Sequence, residues 1–87
     1  MKYVYLLRSL SDPRQTYVGL TDDLKRRLEE HNNGKSPHTS KYQPWEIEVA
    51  IRFNDGMKAA LFERYLKSGS GHAFAKRHLW SLRACPS

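Results

Sequence analysis

The chain has 87 residues, 39% of them apolar, 11% aromatic and 28% charged; this composition is globular, neither disordered nor membrane-like, and no apolar run approaches the ~18–20 residues that span a bilayer. Fifteen lysines and arginines against nine acidic residues leave a net charge of +6, which favours a polyanionic partner, nucleic acid first among them, and no membrane. The single cysteine, Cys85, excludes an internal disulfide and a cysteine-based zinc cluster; with no signal-peptide cleavage pattern near Met1–Arg8, the expectation is one cytoplasmic domain over 1–87.

Residues 2–8 and 16–20 are short β-branched and aromatic runs, and Ser11-Asp12-Pro13-Arg14-Gln15 between them carries turn chemistry, so the pair predicts a β-hairpin. Tyr3, Tyr5 and Leu7 share one face of the first strand; Tyr17 and Gly19 share one face of the second. Pairing would bring Tyr5 and Tyr17 together with room at Gly19, either as cross-strand aromatic packing or as part of a site. Thr21 then offers a cap for a first helix, with Asp22 and Asp23 favourable against its dipole, and Gly34 is placed to end it. Leu24 and Leu28 give that helix a narrow apolar stripe, beside which Arg27 and His31 stand four residues apart. Two readings stand: an arginine lying over the core with a capping histidine, or a pair facing a carboxylate or a polar cleft.

Lys35 to Pro44 is a polar, basic loop in which Lys35, His38, Lys41 and Tyr42 suit phosphate contact. Trp45, Ile47, Val49, Ile51 and Phe53 then alternate with Glu46, Glu48 and Arg52, predicting a strand with one buried face. Asn54 or Asp55 can cap a second helix running to about Ser68, with a wide apolar arc of Met57, Ala59, Leu61, Phe62, Tyr65 and Leu66. Glu63 sits at the edge of that arc, either paired with Lys67 four residues on or free to bind a metal. Ser68-Gly69-Ser70-Gly71 reads as the break before a third helix from about His72 to Arg83, or as a backbone cradle for phosphate. His72 and His78 are six apart, off a common helical face, so a zinc site is not expected. The order is β-β-α-β-α-α: an α/β (α+β) domain on a small three-stranded, largely antiparallel sheet.

Together these residues resemble the GIY-YIG nuclease superfamily over nearly the whole chain. Tyr3-Val4-Tyr5 stands at the first motif and Tyr17-Val18-Gly19 at the second; Arg27 follows Tyr17 by ten residues, His31 comes one turn later, and Glu63 falls in the next helix. The chain departs from the pattern in having Tyr3 at the glycine of the first motif, Leu20 after Gly19, and no clear asparagine in the third helix. The resemblance implies a metal-dependent DNA endonuclease, structure-selective and acting in repair or recombination, that leaves a 5′-phosphate and a 3′-hydroxyl. It implies catalytic roles for Tyr5, Tyr17, Arg27, His31 and Glu63. Glu63 would hold one Mg²⁺ or Mn²⁺, Arg27 would neutralise charge on the phosphate, and Tyr17 or Tyr5 would take the proton of the attacking water, relayed by His31. Lys35, His38, Lys41, Lys67, Lys76 and Arg77 would grip the DNA backbone without reading sequence. The alternatives are a non-catalytic nucleic-acid-binding module of the same fold and an interaction domain for an acidic protein partner.

Overall fold

A computed structural model of the chain describes residues 1–35, 37 and 39–80. The elements are β1 (Lys2–Ser9), β2 (Thr16–Thr21), α1 (Leu24–Asn32), a 3-10 turn at Ser40–Tyr42, β3 (Trp45–Phe53), α2 (Gly56–Leu66) and α3 (Gly69–His78). The strands form one sheet in the order β2-β1-β3, with both pairings antiparallel. This is the expected α+β architecture.

Because β1 is central, water is excluded from both of its faces, and Val4, Tyr5, Leu6 and Leu7 follow one another without a polar break. On one side Val4 and Leu6 pack with Ala59 and Leu66 of α2 and Ala75 of α3. On the other, Tyr5 and Leu7 pack with Trp45, and Tyr17, Leu24, Leu28 and Ile47 close around them. The helices thus cover opposite faces, α1 one and α2–α3 the other.

β3 corrects the expectation of a single buried face. Leu6 stands opposite Val49 but Leu7 opposite Ile47, so Glu48 is an extra residue, a β-bulge. The bulge reverses the side-chain alternation at that point. Trp45 and Ile47 join the Tyr5 layer, whereas Val49 and Phe53 join the Val4 layer. Glu48, expected on the polar face, is 5% exposed at its side chain and pairs with the equally buried Arg8 at 3.3 Å. Arg8 also donates to the Pro13 carbonyl at 2.7 Å and lies over the Trp80 ring at 5.2 Å.

The helix ends also differ from expectation. Asp23, not Thr21, caps α1 by accepting the Arg26 N–H at 3.0 Å, while the Thr21 hydroxyl accepts the Asp23 N–H. Gly34, at φ 74°, ends α1 as expected, letting the Lys35 N–H reach back to the Glu30 carbonyl at 3.1 Å. Asp55 caps α2, which stops at Leu66. Ser68 is the cap of α3, so the Ser68–Gly71 segment opens that helix and does not merely break the chain. The Ser68 hydroxyl accepts the Gly71 N–H and its carbonyl the His72 N–H, which takes up two of the groups a phosphate cradle would use. Gly71 is required where α3 leaves α2, since a Cβ there would overlap the Tyr65 carbonyl. Within α2 only part of the expected apolar arc faces inward: Ala59 and Leu66 are buried, while Met57, Leu61 and Tyr65 are exposed. α3 ends at His78, and its expected continuation to Arg83, like Cys85, lies partly or wholly outside the described residues.

Candidate active site

The site starts from strand register. Tyr5 pairs directly with Gly19, and Leu7 with Tyr17. A Cβ at residue 19 would overlap the Tyr5 phenol, so glycine is what lets that ring lie across β2. The Tyr5 and Tyr17 rings then stand 6.2 Å apart at 40°. The last turn of α1 brings His31 against both, completing a triangle with ring centroids 5.8 Å from Tyr5 and 5.0 Å from Tyr17.

His31 is buried and bonded at both ring nitrogens, Nε2 to the Tyr5 hydroxyl at 3.0 Å and Nδ1 to the Thr39 hydroxyl at 2.7 Å. Thr39 is held in turn by the Trp45 indole, whose Nε1–H donates to the Thr39 carbonyl at 2.7 Å. Asn32 brackets the Trp45 backbone, donating to its carbonyl at 3.1 Å and accepting its N–H at 2.5 Å. The basic loop therefore supplies a structural hydroxyl to the site. Sequence reasoning missed Thr39, one polar residue among many in that loop; no local pattern marks it, because its role depends on where the turn after α1 lays it.

Burial raises the Tyr5 phenol well above the ordinary tyrosine value, reinforced by neighbouring Tyr17 and by the carboxylates of Glu30 and Glu63, against the opposing pull of Arg27. Burial and the Arg27 charge lower His31, so its ring is neutral at pH 7. Tyr17 is half-buried, on the edge strand. Arg27 is 43% exposed and donates from Nη1 to Glu30 at 3.0 Å on its own helix.

Glu63, from the opposite layer, arrives at the same edge. Its side chain is 14% exposed and ion-paired with Lys67 at 2.5 Å. The Lys67 ammonium lies 6.0 Å from the centre of the Tyr17 ring. Among the expected site residues, Tyr5, Tyr17 and His31 thus form one ring cluster, Glu63 is linked to it through Lys67 over the Tyr17 ring, and Arg27 is felt through its charge on both Tyr5 and His31. Lys35 and Lys41 are exposed on the α1–β3 connection, Lys41 over the Tyr42 ring at 5.6 Å. Lys76 and Arg77 are exposed on α3, where Arg77 lines a groove with Ser70, Ala73, Phe74 and His78 that includes no member of the tyrosine–histidine cluster. His38 lies outside the described residues.

Among the described residues no group of three or more histidine, cysteine, aspartate or glutamate side chains converges as a closed metal site. Among the described residues, Glu63 is the carboxylate that α2 brings to this edge, while Glu30 of α1, also felt by Tyr5, is paired with Arg27. Such a donor suits a hard divalent cation that keeps most of its waters and takes one or two carboxylates, and does not suit zinc.

The chain is 39% identical over 83 residues to "Structure-specific endonuclease subunit SLX1" of Candida dubliniensis, covering 87% of this chain and 28% of that relative. It is 37% identical over 86 residues to the protein of the same name from Debaryomyces hansenii, covering 90% of this chain and 23% of the relative. With its counterpart from Talaromyces marneffei it shares 38% identity over 84 residues, 90% of this chain and 21% of the relative. The chain spans about a quarter of the length of these relatives. Residues 1–77 match the GIY-YIG catalytic domain, and the hairpin tyrosines, the α1 histidine and the α2 glutamate described above all fall within that match: the chain belongs to the GIY-YIG family.

Proposed function

We propose that this chain is a DNA endonuclease domain that selects its target by DNA structure and hydrolyses phosphodiester bonds to a 5′-phosphate and a 3′-hydroxyl. One observation carries the reading: side chains from four separate elements gather at the β2 edge, with the Tyr5, Tyr17 and His31 rings clustered and the Glu63 carboxylate joined to Tyr17 through Lys67. The names of the similar proteins support the structure-specific substrate, and their designation as subunits supports a protein partner for this chain too.

Hydrolysis needs a base for the attacking water, a cation for the charge building on phosphorus, and help for the leaving oxygen. Tyr17 is our choice of base, because it is half-buried at an edge, whereas Tyr5 is buried and its phenol holds its proton too tightly. Neutral His31 lies 5.0 Å from Tyr17 between ring centres; its bonds to Tyr5 and Thr39 occupy both ring nitrogens and fix the ring plane, so a proton it relays would pass through one of those two hydroxyls. Tyr5 is then an orienting group. Arg27 is exposed enough to exchange Glu30 for a phosphate oxygen and to meet it with a planar fork. GIY-YIG nucleases are in general metal-dependent. For this chain we assign one Mg²⁺ or Mn²⁺ to Glu63, where such an ion would supply Lewis-acid stabilisation of phosphate and leaving oxygen. Lys35, His38, Lys41, Lys76 and Arg77 would hold the DNA backbone.

The test is cleavage of branched and supercoiled DNA with Mg²⁺ or Mn²⁺ and then with chelator. The reading expects metal-dependent nicking by the parent, slowed at least about a hundredfold in Glu63→Gln and in Tyr17→Phe, both melting near the parent temperature. Salt-sensitive binding with no cleavage by the parent would overturn it in favour of a non-catalytic module.

A further inference from the structure

We infer that Lys67 is a built-in competitor for the Glu63 carboxylate, a positioning residue that occupies it until a divalent cation displaces the ammonium toward Tyr17 and the DNA phosphate. The inference rests on the reading of Glu63 as the metal-holding group and goes beyond it by giving this carboxylate a resident cation.

Three features carry it. The pair is closed at 2.5 Å, and Glu63 is mostly buried while Lys67 is 53% exposed, so the carboxylate is fixed and the ammonium is the partner able to leave. Glu63 and Lys67 are one helical turn apart in the favourable order, and Lys67 is the C-cap of α2, where the chain turns to Ser68 and the stem has room to swing. Lastly, the ammonium already lies 6.0 Å from the Tyr17 ring, on the cluster's own edge of the sheet. A charge released from Glu63 therefore stays beside the proposed base and open to an incoming phosphate.

The alternative view is of an ordinary helix-surface ion pair. It would leave metal affinity indifferent to Lys67, whereas competition lowers apparent affinity by the fraction of molecules in which the pair is closed. For a partly exposed pair that penalty corresponds to roughly three- to fivefold.

The experiment measures Mn²⁺ binding to the DNA-free full chain by electron paramagnetic resonance of the unbound ion, a readout independent of cleavage. Lys67→Met is expected to bind Mn²⁺ about three- to fivefold more tightly than the parent, yet to cleave more slowly. Lys67→Arg, which keeps a cation on Glu63, is expected to stay close to the parent in affinity. Arg64→Gln removes the same charge from an exposed position of the same helix and is expected to leave Mn²⁺ binding unchanged, which separates the ion pair from bulk charge. Unchanged or weaker Mn²⁺ binding by folded Lys67→Met overturns the inference. If Glu63→Gln nevertheless weakens Mn²⁺ binding, the metal assignment survives that failure. If Glu63→Gln leaves Mn²⁺ binding intact, the metal assignment and the inference fall together.

Discussion

At the scale of single residues, two tyrosines of the same chemistry have opposite fates because one is central and one is at an edge. Tyr5 is 3% exposed and bonded to His31; Tyr17 is half-buried and has no such bond among those described. Removing each hydroxyl is therefore expected to be felt in different measurements. Tyr17→Phe lowers the cleavage rate by about a hundredfold or more, the scale of a lost general base, with little change in melting temperature. Tyr5→Phe leaves His31 Nε2 buried without its partner and costs about 1–3 kcal/mol in urea unfolding. His31 itself predicts a pH dependence. Its folded pKa lies below the unfolded value of about 6.5, so the unfolded chain binds the proton more readily. Its stabilising contribution is complete above about pH 6.5 and is lost as pH falls through the lower folded value. Melting temperature is expected to fall from pH 7 toward pH 5, with a smaller slope in His31→Gln; equal slopes in both proteins would count against a neutral buried ring. The tyrosines, Arg27, His31 and Glu63 were legible as residue types at given spacings. That Glu63 meets Lys67 was legible too, as a helical i,i+4 pair, but that the same ammonium reaches Tyr17 was not, because a helix on one face and a strand edge are related only by the fold.

Elements were legible where their signals were local. The hairpin, the end of α1 at Gly34 and the existence of three helices follow from turn residues and from periodicity. β3 was misread because alternation of Trp45, Ile47, Val49, Ile51 and Phe53 looks the same with or without an extra residue in the pairing, and only the partner strand reveals that Glu48 is that residue. The start of α3 was misread for a related reason: two glycines read as a break, whereas Ser68 caps the helix and Gly71 is set by the close approach to Tyr65. The bulge has an energetic signature. It turns Glu48 inward to pair with Arg8, both side chains about 95% removed from water. Glu48→Ala strips the buried guanidinium of that carboxylate and is expected to destabilise the fold by about 3 kcal/mol. Replacing both partners with methionine is expected to recover most of that loss, since an apolar pair of similar volume carries no desolvation penalty. Denaturant unfolding of the two variants checks both expectations, and a double variant as unstable as Glu48→Ala would mean that the carboxylate matters chiefly for the bulge geometry.

At the scale of the whole molecule, the excess of positive charge and the tyrosine–histidine cluster are separate properties, which on the proposed reading act on the same DNA. The net +6 supplies attraction to any nucleic acid and raises encounter rate, but carries no information about where to cut. Exposed Lys76 and Arg77 on α3 and exposed Lys35 and Lys41 on the α1–β3 connection extend the basic surface along two separate elements, whereas the tyrosine–histidine cluster lies at the β2 edge. If α3 touches duplex phosphates, each contact releases counterions and adds to the salt dependence of binding. Lys76→Ala with Arg77→Ala is then expected to reduce the slope of log affinity against log salt by about 1.8, two contacts at roughly 0.9 each on duplex DNA. Binding measured with Ca²⁺ in place of Mg²⁺, across a salt series on a branched and on a linear duplex, gives that slope. The loss should be alike on both DNA forms, because phosphate contacts follow the backbone in either. An equal slope for parent and variant would remove α3 from the DNA-binding surface. A loss confined to branched DNA would instead give α3 a part in recognising the branch.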